Sequence, residues 1–168
     1  FAGSSDRRHI RNITFDIIRQ KHSCAFVGGG LSGRKLVMGY LILKDLDLSS
    51  VFTGLKFAPK EITKIERRFL IFSYETIKVY ELDCPTWLVP IIKNSLSENF
   101  NNYLYLMRTR ALVQLRINKH KTCRKNVLTL LRNEEIEVVP NKLISSGINV
   151  LNGAHKILRS SLFFDGLI

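Results

Sequence analysis

Long apolar runs are missing from this 168-residue chain. Stretches such as residues 36–43 stop far short of the roughly twenty residues a membrane-spanning helix needs. No signal peptide is visible, so a membrane partner is not expected. Cysteine is scarce and odd in number. Cys24, Cys84 and Cys123 lie far apart, which excludes a disulfide framework and leaves reduced thiols in a cytoplasmic protein as the simple reading. With four prolines and 45% hydrophobic residues, wholesale disorder is excluded too. His9, His22, His120 and His155 are isolated, and His120 with Cys123 makes only one i, i+3 pair, too little for a metal site. Acid is the last shortage: 14 Asp and Glu face 26 Lys and Arg, a net charge of +12. That excess points to a polyanionic partner, nucleic acid before anionic membrane, with a generally basic surface as the plainer alternative.

What is present concentrates in residues 108–133. Arg108, Arg110, Arg116, Lys119, Lys121, Arg124, Lys125 and Arg132 fall here, and no acid lies between Glu98 and Glu134. Residues 112–118 alternate, with Val113, Leu115 and Ile117 on one side and Gln114, Arg116 and Asn118 on the other, the period of a half-buried strand. From Thr122, a candidate N-cap, the spacing turns helical through Val127, Leu128, Leu130 and Leu131. Arg124 and Lys125 thus fall in the first turn of a helix, where cations oppose its dipole. A nearby anion would relieve that conflict, and phosphate is the obvious one.

Earlier in the chain, Gly3-Ser4-Ser5-Asp6 signals a helix start, and Ile10, Ile13, Ile17 and Ile18 follow as one apolar face. Residues 28–33 fit G-x-G-x-x-G, but a helix precedes them and Thr53, not an acid, lies twenty residues beyond Gly33. A helix–helix connector is expected, not a dinucleotide site. A helix over about 32–44 follows. Another is expected from Pro59, burying Ile62, Ile65, Phe69 and Leu70. Residues 73–82 carry no readable period. Pro85 suits a first helical turn, with Trp87, Leu88, Ile91, Ile92 and Leu96 as an apolar face and Trp87 in the core rather than stacked on a base. Leu104 and Leu106 continue as helix. Residues 135–139 and 147–151 read as two further strands, with Asn152-Gly153 as a turn.

Leu115-Arg116-Ile117-Asn118, Lys121-Thr122 and Arg124 resemble the "L-R-(V/I)-N-x-x-K-x-(T/S)-R" signature of bacterial 16S rRNA (cytosine-5) methyltransferases. In that family the signature opens a small α/β subdomain, similar to an RNA-recognition fold, ahead of an S-adenosylmethionine-binding domain. Gly3-Ser4, Asp6-Arg7-Arg8 and Ile10-Arg11 resemble the first helix of its NusB-like domain, which is taken to help hold RNA. Arg34, residues 51–66 and residues 83–88 ("D-x-P-x-W-L") are similar to further family segments, as is 163–168. The resemblance implies an α+β chain: an all-helical NusB-like domain over 1–106, then an α/β subdomain over 107–168. It implies rRNA as partner, contacted by Arg116, Asn118, Lys121, Arg124 and Lys125 and by Arg7, Arg8 and Arg11.

Methyl transfer to cytosine needs an attacking thiolate and a cofactor pocket. The family's catalytic cysteines stand in Pro-Cys and Thr-Cys-Ser motifs. Here Arg124 follows Thr122-Cys123, and Cys84 precedes its proline. The chain starts on Phe1 and ends on Leu167-Ile168 with no polar tail, and so reads as a piece of something longer. The expectation is the RNA-binding part of such an enzyme, monomeric, with no cofactor of its own and the catalytic domain elsewhere. In it the cations contact phosphates while the Asn118 amide stabilises a turn. Alternatively, Arg116 and Asn118 only fix the interface to that domain. A rival from another class is a non-enzymatic NusB-like or ribosome-associated RNA-binding module, or the relic of a decayed gene.

Overall fold

The computed structural model describes residues 3–71 and 79–168. The chain is α+β and divides into two compact units, Phe1–Arg110 and Ala111–Ile168.

In the first unit, α1 (Ser4–Arg19) begins where Gly3 is extended and its N–H donates to Asp6 Oδ2 at 3.0 Å. Gln20 separates it from α2 (Lys21–Gly28). Gly29 then takes a left-handed φ of 76° as the C-cap, and α3 (Gly33–Leu43) follows, so helices flank the glycine-rich stretch on both sides. Gly28 and Gly39 let α2 and α3 meet backbone to backbone. A Cβ on Gly28 would collide with Lys35 O, and one on Gly39 with Cys24 O. Around this crossing Cys24, Val27, Met38, Leu41, Ile42, Phe52 and Leu70 form a core, with Ile13 and Ile17 of α1 packed against it. Ile10 and Ile18, expected on the same face, are exposed. The buried stripe is centred on the i, i+4 pair 13 and 17; Ile18 lies a further 100° round the helix and Ile10 nearly a turn closer to its start.

After α4 (Leu48–Val51), capped by Asp47, the helix expected from Pro59 begins only at Lys64, as α5 (Lys64–Phe69). Thr63 and Glu66 set its start. Glu66 N–H donates to Thr63 Oγ1 at 3.1 Å and Thr63 N–H to Glu66 Oε2 at 2.8 Å, a reciprocal cap that outweighs the proline signal. Ile65 and Phe69 are consequently exposed, while Leu70 just beyond the helix is buried.

Of the unreadable residues 73–82, those from 73 to 78 lie outside the described residues, and Val79–Asp83 is a 3-10 turn. Asp83 at its end caps α2 from sixty residues away. Its Oδ1 accepts the N–H groups of His22 and Ser23, both at 3.0 Å, and Ser23 Oγ donates to Oδ2. Arg108 lies behind it, with Nε 3.1 Å from Asp83 Oδ2 and Nη2 donating to Gln20 Oε1 at 3.0 Å. The Nε contact is one of charge, since its angle is not that of a hydrogen bond. Side-chain exposures of 12% for Arg108 and 6% for Asp83 make this a buried ion pair.

Pro85 shapes a turn rather than the first turn of a helix: Leu88 N–H donates to Pro85 O at 2.9 Å, and α6 (Val89–Leu96) starts later with Pro90 in its first turn. Trp87 sits in that turn and is 69% exposed, not in the core as its spacing implied. A helical period assigns a face only to residues inside the helix. The last helix of the unit, α7 (Phe100–Met107), buries Phe100 and Leu104.

The second unit follows the strand–helix–strand pattern more closely. Its elements are β1 (Val113–Arg116), α8 (Arg124–Asn133), β2 (Glu137–Pro140), β3 (Gly147–Asn152), a 3-10 turn over Ala154–Arg159 and α9 (Ser161–Phe164). The sheet order is β1-β3-β2 with both pairings antiparallel. β1 and β2 therefore run parallel with β3 between them, a split β-α-β unit. Register puts Leu115 opposite Ile148, with Val113 and Val138 both opposite Val150. Of these, Leu115, Val138, Ile148 and Val150 pack with Val127 and Leu131 of α8 and with Ile136 and Ile157 in a second core, while Val113 on the edge strand is exposed. Gln114, Asn149 and Val139 form a row on the other face.

The strands are shorter than their alternation, because Ile117 stays buried after pairing has ended and its N–H goes to Ser146 O. Cys123, not Thr122, is the N-cap of α8, extended and without a side-chain cap bond. Glu135 is left-handed (φ 56°), which delays β2 by two residues, and Gly153 (φ 80°) turns the chain out of β3.

Candidate nucleic-acid interface

The β1–α8 junction is built around Asn118. Its Oδ1 accepts His120 N–H at 3.1 Å, and its main-chain carbonyl accepts Lys121 N–H at 3.0 Å and Thr122 N–H at 3.1 Å. Its Nδ2 donates to Gly166 O at 3.2 Å and its N–H to Leu167 O at 2.8 Å, which ties the turn to the segment after α9. The side-chain amide thus holds the turn, as an Asx-type bond does.

The cations around this turn fall into two sorts. Arg116 and Lys125 are exposed. Lys119, Lys121 and Arg124 reach across to neighbouring loops. Lys119 Nζ donates to Ser145 Oγ at 2.8 Å, and Lys121 Nζ to Asp165 O at 2.7 Å. Arg124 Nη1 donates to Asn141 O at 3.1 Å and Ile144 O at 3.3 Å, both in the β2–β3 loop. Its charge at the start of α8 is therefore met by main-chain carbonyls within the fold, a partner the dipole argument did not foresee. These acceptors are neutral, so the positive charge of all five side chains is retained.

Arg116, Ile117, Asn118, Lys119, His120, Ser146, Gly166 and Ile168 line one cavity of about 550 Å³. Two acids of this unit stand at the far end of α8, Glu134 as its C-cap and Glu135 paired with Lys156 at 2.8 Å, while Asp165, whose carbonyl accepts Lys121, adjoins the cavity residue Gly166. The hydrogen bond and charge of Lys156 hold the Glu135 carboxyl below its ordinary value. The sheet face opposite α8 presents Gln114, Asn149, Val139 and Arg116, none of them aromatic, so it offers no stacking platform for bases.

Of the residues expected to contact RNA, Arg116 and Asn118 meet at the cavity, Lys121 and Arg124 brace its surroundings, and Lys125 stands on α8 one residue further on. Arg7, Arg8 and Arg11 belong to α1 in the other unit, Arg7 and Arg11 exposed and Arg8 half-buried. Ser146 was not anticipated, and Gly166 only as part of the family-like segment 163–168. They come from a loop and a tail with no charge or period to mark them. Lys119 and His120 were visible as part of the basic run, but not as cavity walls.

Two of the three cysteines, Cys24 and Cys84, sit where burial favours the thiol. Burial, and then the Asp83 charge, push the Cys24 thiol up to about 12, and burial raises Cys84 as well. Neither environment favours the thiolate. Cys123 is exposed. Among the described residues no group of three or more His, Cys, Asp or Glu is placed to hold a metal, and no helix is long and apolar enough to cross a membrane.

A basic split β-α-β unit following a helical unit is the class that fold and site define. Residues 84–157 match the family model described as the ferredoxin-like domain of RsmF/B-like methyltransferases. That stretch is similar to this domain, and it holds Arg116, Asn118, Lys121, Arg124 and Lys125 but not the arginines of α1. No curated protein matches the chain. Among solved structures, that of PH0851 is similar in fold, with a TM-score of 0.53 and 16% identity, over 96% of this chain and 43% of the other. The chain thus spans less than half the length of that structure.

Proposed function

We infer that this chain is the RNA-binding part of an rRNA (cytosine-5) methyltransferase. The helical unit corresponds to the family's NusB-like domain, and the second unit grips 16S rRNA at the β1–α8 junction. The observation that carries the reading is a set of five cations round one braced turn, inside the stretch that matches the RsmF/B-like domain. Arg116, Lys119 and Lys125 contact phosphates, Asn118 holds the turn, and Lys121 and Arg124 keep neighbouring loops in place while adding their charge. Arg7, Arg8 and Arg11 supply a second phosphate-binding face. S-adenosylmethionine, bound by a further domain, supplies the methyl group. The cytoplasm, where ribosomes are made, is the setting.

Phosphate contacts release counterions, so affinity falls with salt in proportion to their number. Binding of the chain to a 16S-derived RNA hairpin, titrated between 50 and 200 mM salt (roughly the range over which such contacts are counted), tests the reading. In the Arg116→Gln, Lys119→Gln, Lys125→Gln triple variant the log–log slope should flatten by about 2 to 3, at 0.7–0.9 per contact. An unchanged slope would remove this patch from the interface.

A further inference from the structure

The β2–β3 loop, residues 141–146, is braced at every turn yet ends in an apolar tip. Asn141 Oδ1 accepts the N–H groups of Leu143 at 2.8 Å and Ile144 at 3.0 Å, and Asn141 Nδ2 donates to Asn149 Oδ1 at 2.9 Å. Main-chain bonds from Asn141 N–H to Gly147 O at 3.0 Å and from Gly147 N–H to Ile144 O at 2.9 Å close the loop. Arg124 clamps the carbonyls of Asn141 and Ile144, and Lys119 holds Ser145. A Cβ on Gly147 would lie 2.8 Å from Asn141 Cβ, so the loop closes as tightly as glycine allows. At the tip Leu143 is 94% exposed and Ile144 54%.

One exposed leucine needs no explanation on a mobile loop. Here it is held out by a bonded frame, and the groups that hold the frame are the cations of the proposed RNA site. A pre-ordered apolar tip loses little entropy on binding. Lys142 adjoins it in sequence, and Ser146, three residues on, lines the cavity beside Arg116 and Lys119. Three residues span at most about 10 Å, so a phosphate in the cavity and a group at Leu143 belong to neighbouring parts of one ligand. Alternating apolar and anionic surface at that spacing describes a nucleotide strand better than a protein groove. A base buried in an A-form helix is out of reach of such a tip, whereas a bulge or helix end offers an open base face.

Resting on the RNA-binding reading above, we propose that the β2–β3 loop is a wedge. Leu143 packs on the face of an unstacked base at a bulge or helix end, while Arg116 and Lys119 hold its neighbouring phosphate. The site thereby selects interrupted helices over continuous ones, which the charge of the patch alone does not do.

The test uses the 168-residue chain and two RNA hairpins, one with a single bulged 2-aminopurine and one with that base paired. The parent chain should bind the bulged hairpin about tenfold more tightly and change its 2-aminopurine emission on binding. Leu143→Ala should abolish both the preference and the emission change. It should leave the paired hairpin's affinity and the salt slope as they were, since no phosphate contact is lost. Leu143→Met should retain the preference. An alanine variant that still prefers the bulge, or that weakens both hairpins equally, overturns the wedge and leaves the tip to a protein partner. Absence of salt-dependent binding to either hairpin overturns the RNA-binding reading itself, and the wedge with it.

Discussion

The starts of α2 and α8 solve the same problem in opposite ways. Each helix leaves unpaired N–H groups and a positive dipole end at its first turn. At α2 a carboxylate from sixty residues away takes two of those N–H groups, and Arg108 then balances the carboxylate. At α8 the cap residue is Cys123, with no side-chain bond, and Arg124 and Lys125 add charge of the same sign as the dipole. The first arrangement is satisfied within the fold and buried. The second leaves positive charge that meets only neutral carbonyls at Arg124 and solvent at Lys125. Three other starts in the first unit resemble α2, with Asp6, Asp47 and Glu66 at the N-termini of α1, α4 and α5, whereas α3 carries Arg34 and Lys35 in its first turn and no acid. An acid at a helix start serves stability, and its replacement by cations gives up some stability for a surface that attracts anions.

The largest effect that sharpens this contrast is expected from Asp83→Ala. It strips two N–H groups of α2 of their acceptor and leaves Arg108 buried without a counter-charge. Breaking a buried pair from one side costs about 3–5 kcal/mol, so denaturant unfolding should show a loss of that order. A loss below about 1 kcal/mol would mean that the α2 start is no more closed than the α8 start, and the comparison would fail.

Next in size is Arg124→Ala. Two hydrogen bonds from a charged donor to the β2–β3 loop are lost, and the expected cost is about 2 kcal/mol, with faster amide exchange at Leu143, Ile144 and Gly147. The salt slope for RNA should fall by no more than the one contact its charge contributes. If stability and loop exchange are unchanged while the slope drops by about 0.8, Arg124 is a phosphate ligand and not a clamp.

How much of this was legible follows from where each partner lies. The β1–α8–β2 order could be read because residues 112–131 change period from two to 3.6 and each signal is local. The turn role of Asn118 was legible too, since the N–H that its side chain accepts is two residues away, at His120. Asp83 was visible only as part of a family-like motif, since nothing at position 83 announces helix residues sixty positions earlier. Arg124 was read against the dipole of its own helix; its carbonyl partners lie 17 and 20 residues on, in a loop without a period. Pro59 and Trp87 failed for a shared reason. Each was given the helix nearest in sequence, and a stronger local signal, the Thr63–Glu66 cap or the Pro85 turn, had already fixed where that helix starts.

The smallest effect concerns α5, a third helix start, where acid and cation are both near the surface. The Arg34 guanidinium hydrogen-bonds Glu66 at 2.7 Å, and Thr63 N–H adds a second bond. Together they lower the Glu66 carboxyl from 4.5 to about 2. A carboxylate whose folded value is depressed gives its stabilisation in full above the unfolded value and loses it as pH falls through the folded one. The parent chain should therefore lose this contribution between pH 4.5 and about 2, and Glu66→Gln should lack that limb while being slightly less stable at neutral pH. Arg34 also lies 4.6 Å above the Phe52 ring, a contact that the Gln variant keeps, so the difference between the two pH curves reports the carboxylate alone. Identical curves below pH 4.5 would mean that the cap and the ion pair do not favour the ionised acid. Acid placed at a helix start would then explain less of the first unit's stability than the contrast with α8 requires.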